Sequence, residues 1–146
     1  MHNTQKFPNI LETQDSINNF VSVLSSTNTI GLDTEFVRIR TYYPKLCLVQ
    51  IAYNAGAGCI DYLQSNDLNK LWQLIFDPKK LKIFHSARQD LEILFLIKNR
   101  IPENIFDTQI GAALLGYPPQ VGIKQLLKDE LNIEISKTET RSDWSK

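Results

Sequence analysis

The chain predicts an α/β domain built on a mixed sheet, and three observations carry that prediction. First, three apolar segments follow one another at short spacing after residue 29, as antiparallel neighbours do. Second, from residue 68 onward the apolar period changes, and helical faces alternate with short strand-like runs. Third, no repeat, low-complexity tract or Pro/Gly/Ser-rich linker divides the 146 residues, so they read as one unit.

Each element has its own signal. Asp15 and Ser16 are expected caps, and Ile17, Phe20, Val21 and Leu24 follow at helical spacing. Residues 29–37 read as a strand, and residues 46–53 as a second, apolar almost throughout and therefore central. A turn over 54–58 leads to a third strand at 59–63, completing an antiparallel meander. Leu68, Leu71, Trp72, Leu74, Ile75 and Phe76 form a helical face that stops at Asp77-Pro78. Residues 81–85 are a fourth strand, followed by a helix from near Ala87 that carries Leu91, Ile93, Leu94, Phe95 and Ile97. Ile105-Phe106 is a short strand, after which Asp107 caps a helix running to Leu115. Gly116-Tyr117-Pro118-Pro119 breaks that helix, a last helix spans 122–131, and the tail from Asn132 is polar.

Composition narrows the class. Apolar residues are 42% and charged residues 22%, which excludes a disordered tail. A chain of this length buries roughly 68–70% of its unfolded surface, enough for a real core. Sixteen Lys and Arg balance sixteen Asp and Glu, removing the simplest argument for a nucleic-acid or membrane partner while leaving room for a local basic patch. Cys47 and Cys59 stand alone in apolar runs, making neither a disulfide framework nor a zinc site, so they read as small core residues in a reducing compartment. No signal pattern opens the chain and no apolar run approaches a membrane span, so a cytoplasmic protein is expected.

Asp33 and Glu35 are two apart on a predicted strand, so both carboxylates leave the same face. Leu32, Thr34 and Phe36 point the other way. Each carboxylate raises the pKa of the other, a cost that a divalent cation removes; oxygen ligands of this kind suit Mg²⁺ or Mn²⁺. An exposed acidic face on an edge strand explains the pair equally well. Asp90 shifts the balance. It opens the helix after the fourth strand, where it suits the helix dipole, but that strand could run beside the Asp33 strand and bring the carboxylate to the same cation cluster. Three converging acids without a Cys or His ligand set suggest two-metal phosphoryl transfer.

The segment Asp33-Thr34-Glu35-Phe36-Val37-Arg38-x-Arg40-Thr41-Tyr42-Tyr43-Pro44-x-Leu46-Cys47-Leu48-x-Gln50-Ile51 resembles the first exonuclease motif of the ribonuclease D family, among the DEDD 3′→5′ exonucleases. Phe84-His85-Ser86-Ala87-x-x-Asp90-Leu91-Glu92 resembles the second motif. Phe106-Asp107-Thr108-Gln109-Ile110 and the run from Lys137 to Trp144 resemble connecting segments, in order and at family spacing.

The resemblance implies a ribonuclease-H-like fold and a metal-dependent 3′→5′ exoribonuclease that releases nucleoside 5′-monophosphates. Its implied substrates are RNAs with a free 3′ end, such as tRNA precursors and small structured RNAs. It implies two Mg²⁺ or Mn²⁺ ions: Asp33 bridging both, Glu35 on one, Asp90 on the second directly or through water. Thr34, Phe36, Arg38, Arg40, Tyr42 and Tyr43 are the expected nucleic-acid contacts, the basic-aromatic stretch tracking phosphate and stacking bases. The family's third motif, Tyr-x-x-x-Asp, has no match: two residues follow Trp144, and Tyr117 is followed by Pro118 and Pro119 with no Asp four residues on. Residues 1–146 are therefore expected to be an exonuclease domain incomplete at its C-terminus, a fragment with little or no activity.

Other features read more plainly. His85 is expected to be a hydrogen-bonded residue at a strand end, since His85, Ser86 and Asp90 are too close in sequence for a nucleophilic triad and no Gly-x-Ser-x-Gly turn is present. Lys124 and Lys128 read as a solvated helix face, and Lys137 and Arg141 carry no assignable role. The absence of a Gly-rich phosphate loop argues against a P-loop nucleotidase. Two alternatives remain open: an exonuclease acting on DNA 3′ ends, and a non-catalytic RNA-binding module that kept the fold.

Overall fold

The structure, a computed structural model, describes residues 9–135. In chain order the elements are β1 (Asn9–Leu11), α1 (Gln14–Ser25), β2 (Thr29–Val37), β3 (Lys45–Tyr53), β4 (Gly56–Asp61), α2 (Asn69–Ile75), β5 (Leu81–Phe84), α3 (Arg88–Lys98), β6 (Ile105–Asp107), α4 (Thr108–Leu114) and α5 (Ile123–Leu131). The predicted segment from Lys137 to Trp144 lies outside the described residues. Among the described residues no helix is long and apolar enough to cross a membrane.

Strand order in the six-stranded sheet is β1-β4-β3-β2-β5-β6. The β2-β3-β4 meander is antiparallel, as expected, while β5 pairs with β2 and β6 with β5 in parallel. That arrangement puts β2 in the middle of the sheet, with the end of β5 beside it. Period-two alternation decides which way β2 faces: Ile30, Leu32 and Thr34 are buried, whereas Thr29 and Asp33 are exposed. The buried side packs with Val49, Ile51 and Ile60 against Ile17, Val21 and Leu24 of α1, Leu71 and Ile75 of α2, and Ile93 and Leu94 of α3.

Four local expectations are corrected. Thr13, rather than Asp15 or Ser16, is the N-cap of α1: its hydroxyl accepts from the Ser16 N–H at 3.1 Å and the Ser16 hydroxyl accepts from the Thr13 N–H at 3.2 Å. β4 begins at Gly56 rather than 59 and ends at Asp61, because ladder pairing with β3 from Tyr53↔Gly56 overrides the weak strand propensity of its glycines. At Gly58 a Cβ would stand 2.8 Å from the Phe20 ring, so any larger residue would have to push that ring aside. β1, which has no counterpart in the predicted elements, is a three-residue strand added in parallel to the edge of β4. The fourth strand stops at Phe84, leaving His85 just beyond it.

Two lysines take unusual roles in holding the core together. Lys80 Nζ donates to the carbonyls of Leu24 and Thr27 at the end of α1, and Lys82 Nζ donates to those of Asp77 and Lys80 at 2.8 and 2.6 Å. Burial pushes the Lys82 ammonium below its usual pKa. At the far edge of the sheet, Phe95 of α3, Phe106 of β6 and Leu114 of α4 stay exposed along an apolar groove.

Candidate active site

Asp33 and Glu35 emerge from the same side of β2, the side away from the core. Their alternation ends immediately afterwards, because the pairing with β3 slips between Glu35↔Leu48 and Phe36↔Leu46. Across the ladder Gln50 sits opposite Asp33, and its Nε2 donates to Glu35 Oε1 at 3.4 Å. A groove of about 580 Å³ runs along this face, with Asp33, Gln50, His85, Thr108 and Ile123 among its lining residues.

Asp90 reaches the site from the first turn of α3 and is 6% exposed. It does more than complement the helix dipole. Its Oδ1 accepts two hydrogen bonds from Thr34, one from the backbone N–H at 3.0 Å and one from the hydroxyl at 2.6 Å. The expected juxtaposition follows from topology: β5 runs parallel to β2, so the helix leaving β5 starts beside the middle of β2.

All three carboxyls are pushed above their ordinary pKa. For Asp33 the main cause is lost hydration, opposed by the Thr34 N–H and by His85. Lost hydration again leads for Glu35, followed by repulsion from Asp33 and Asp90, with Gln50 opposing. Asp90 is raised to about 6, by burial first and by Asp33, against the pull of its Thr34 hydrogen bonds.

Such a set fits a divalent cation in its chemistry: hard oxygen donors only, and charges that repel each other until a cation joins them. Among the described residues, however, no three His, Cys, Asp or Glu side chains converge closely enough to enclose a metal ion by themselves. The acids are brought within electrostatic reach without forming a closed cage, and Asp90 Oδ1 is turned to Thr34.

The remaining sequence candidates separate by geometry. Thr34 is buried, 5% exposed, with its hydroxyl committed to Asp90, so its side chain lies behind the carboxylates and not on the groove. Phe36 is half-buried against the core, with the Arg38 guanidinium 5.7 Å from its ring centre. Arg38 also donates to the Tyr42 carbonyl at 2.8 Å and pairs with Glu92 of α3 at 3.2 Å, pinning the β2–β3 loop beside the Asp90 helix. Tyr42 and Tyr43 are 82% and 62% exposed, ring centres 5.2 Å apart, and Arg40 is exposed at φ 55°.

His85 is hydrogen-bonded at a strand end, as expected: Nε2 donates to the Val121 carbonyl at 3.0 Å and Nδ1 meets the Thr108 hydroxyl at 2.8 Å. Asp107 is the expected N-cap of α4, accepting from the Gln109 N–H at 2.9 Å. Its second role has no counterpart in the sequence reading. The same carboxylate accepts from Ser86 N–H at 3.0 Å and Ala87 N–H at 2.8 Å, the residues that lead into α3. Burial pushes Asp107 upward, but the backbone N–H groups of Ala87, Ser86, Gln109 and Ile110 outweigh it and hold its pKa low. Gln50 was legible in principle, as a polar residue inside an apolar strand directly across from Asp33.

A mixed α/β sheet with two carboxylates on its central strand and a third on the neighbouring helix defines a class: acidic-site domains built for metal-assisted phosphoryl chemistry. The comparisons agree. A family model described as 3′-5′ exonuclease matches residues 8–146, and the chain belongs to that family. It is 39% identical over 142 residues to the ribonuclease D of Desulfotalea psychrophila, covering 97% of this chain and 38% of that protein. The crystal structure of Escherichia coli RNase D superposes with a TM-score of 0.87 at 33% identity, over 94% of this chain and 37% of that one. Brucella melitensis NrnC bound to pGG gives 0.73 at 28%, over 95% and 65%. The chain thus spans less than two-fifths of the ribonuclease D relatives. The ribonuclease-H-like fold expected from the motifs is the fold observed, and the family is one that depends on divalent metal.

Proposed function

We propose that the protein containing this chain is a 3′→5′ exoribonuclease of the ribonuclease D type, acting on tRNA precursors and other small structured RNAs in the cytoplasm. The observation that carries this reading is that Asp33, Glu35 and Asp90 lie within electrostatic reach of one another in a chain 39% identical to a ribonuclease D. Two Mg²⁺ or Mn²⁺ ions are the cofactors this reading requires, and Asp33, Glu35 and Asp90 are the residues that would hold them. Bound there, divalent metal supplies a water of lowered pKa and charge neutralisation at the scissile phosphate.

The chain's own residues prepare that chemistry. Burial and mutual repulsion destabilise three unneutralised carboxylates, so cation binding relieves a cost already built into the fold. Gln50 steadies Glu35. The Arg38-to-Tyr43 loop follows the strand of Asp33 and Glu35 and is held to α3 through Glu92; the exposed Arg40, Tyr42 and Tyr43 on it would meet phosphate and stack on bases. Cys47 and Cys59, both buried in the core, suit a reducing cytoplasm.

The test uses the protein read through to its own stop codon, matched 5′-labelled RNA and DNA oligonucleotides, and added Mg²⁺ or Mn²⁺ or EDTA. Stepwise shortening of RNA, lost in EDTA and in Asp33→Ala, supports the proposal. Preference for DNA replaces the substrate assignment, and shortening of neither leaves a binding module.

A further inference from the structure

Thr34 stands between the two site carboxylates in sequence but faces the opposite way, into the core between Leu32 and the half-buried Phe36. A hydroxyl there is a poor choice for packing alone, since valine has the same shape without a polar atom to satisfy. The hydroxyl is satisfied by one group, Asp90 Oδ1, at the short distance of 2.6 Å. The Thr34 backbone N–H reaches the same oxygen at 3.0 Å. Two donors from one residue thus grip one oxygen of an acid 56 positions away. They grip it from the residue whose neighbours on either side are Asp33 and Glu35.

We infer that Thr34 is the positioning residue for Asp90, holding one carboxylate oxygen to the back of β2 so that Asp90 faces the cation site in fixed register with Asp33 and Glu35. This rests on the exonuclease reading above. The grip spans the β2–α3 junction, so it also fixes the distance between the strand that carries two acids and the helix that carries the third. Removal of the hydroxyl leaves Asp90 its backbone bond but frees its rotation. Groups that orient metal ligands in this way typically change metal affinity or activity by about 10–100-fold when lost.

The test uses the full-length protein with Thr34→Val, Thr34→Ser, Asp90→Asn, the Thr34→Val/Asp90→Asn double variant and Asp33→Ala. Turnover on 5′-labelled RNA gives kcat and KM, and calorimetric titration with Mn²⁺ alone gives metal affinity without RNA. Thr34→Val is expected to lower kcat and weaken Mn²⁺ binding by about 10–100-fold with KM for RNA little changed. Thr34→Ser should recover most of both, and Thr34→Val should cost nothing more once Asp90 is Asn. Wild-type kcat and Mn²⁺ affinity in Thr34→Val overturn the inference. So does equal damage from Thr34→Ser, or a further loss in the Asn background. If Thr34→Val does not fold by circular dichroism, Thr34→Ala takes its place under the same criteria; failure of both to fold assigns Thr34 to the core alone and overturns the positioning role. A wild-type protein without RNA shortening, or one indifferent to Asp33→Ala, sinks the exonuclease reading instead, while the Mn²⁺ titration still reads Thr34.

Discussion

The two faces of the β2–β3 pair share one backbone and differ only in phase. Ile30, Leu32, Val49 and Ile51 face α1, α2 and α3 and are at most 4% exposed. Asp33 and Gln50 line the groove on the other face, and Glu35 leaves β2 on that same side, so two like charges share a strand. One face accumulates stability by excluding water; the other gives some up by stripping water from carboxylates without pairing them. Functional sites are commonly where a fold accepts such a cost. Thr34 joins the two, buried like its core neighbours but bonded to a site acid.

That contrast breaks most visibly at Asp33. In the full-length protein Asp33→Asn should cut RNA turnover by about 10²–10³-fold, the scale for losing one preorganised electrostatic group. Metal-free stability should hold or rise, because the variant removes repulsion on Glu35 and Asp90. Urea unfolding in EDTA reads the second half; a large destabilisation would show that the acidic face is structural after all.

Leu32, one residue away and 4% exposed, should behave in the opposite sense. Leu32→Ala removes a side chain from a packed interior and should cost about 2–5 kcal/mol. Turnover per folded molecule should stay near that of the parent below the unfolding transition. Comparable loss of turnover in the folded variant would mean that the two faces are mechanically coupled.

Asp90 sharpens the comparison through pH. Its pKa is raised from 3.8 to about 6, so the folded chain binds that proton more tightly than the unfolded chain does. In metal-free protein its contribution is fully present below about pH 4 and is lost as pH rises through 6, on the order of 2–3 kcal/mol in all. Asp33 and Glu35 are shifted the same way and add to the trend. Urea titrations in EDTA at pH 5 and 7.5 should therefore show lower stability at 7.5, with much of the difference gone in Asp90→Asn. Added Mn²⁺ should restore stability at 7.5 and do less at pH 5. An unchanged pH slope in Asp90→Asn would place the burden on other groups.

How much of this was legible in sequence follows from the range of each interaction. Alternation along 29–37 reports burial within one strand, so β2, its acidic face and the meander were readable. The change of period after residue 68 made the alternation of helices and strands readable. The pairing of β5 with β2 was only one arrangement open to the fourth strand, because neighbours in a sheet leave no mark on local period. β1 was not readable, because three residues at a sheet edge carry no period and owe their extension to the β4 ladder. Thr34 was read as a nucleic-acid contact because it lies inside the matched motif; its bond to Asp90 joins positions 56 apart and leaves no local mark. Asp107 was legible as a cap, since a cap acts on its own helix. Its hold on Ser86 and Ala87 exists only after β6 has docked beside β5.

The smallest expected effect lies in that hold, at the turn from β5 into α3 that delivers Asp90 to the sheet. Ser86 sits at φ 63°, a left-handed conformation that costs an L residue roughly 1–2 kcal/mol. Asp107 Oδ1 accepts from its N–H while Oδ2 accepts from Ala87 N–H, so the strained turn is fixed from the neighbouring strand. Asp107→Ala removes both bonds and the α4 cap, and should cost about 1–2 kcal/mol. Ser86→Gly abolishes the conformational penalty but gives the unfolded chain more freedom, so alone it should change stability by under about 1 kcal/mol. In the Asp107→Ala background the glycine should help more than it does in the parent, because the turn then lacks the bonds that enforced it. Urea unfolding of the four proteins reads that coupling, expected at about 0.5–1 kcal/mol. Strict additivity would mean that Ser86 holds its conformation without Asp107, and that the Asp90 helix is set by Thr34 and the core alone.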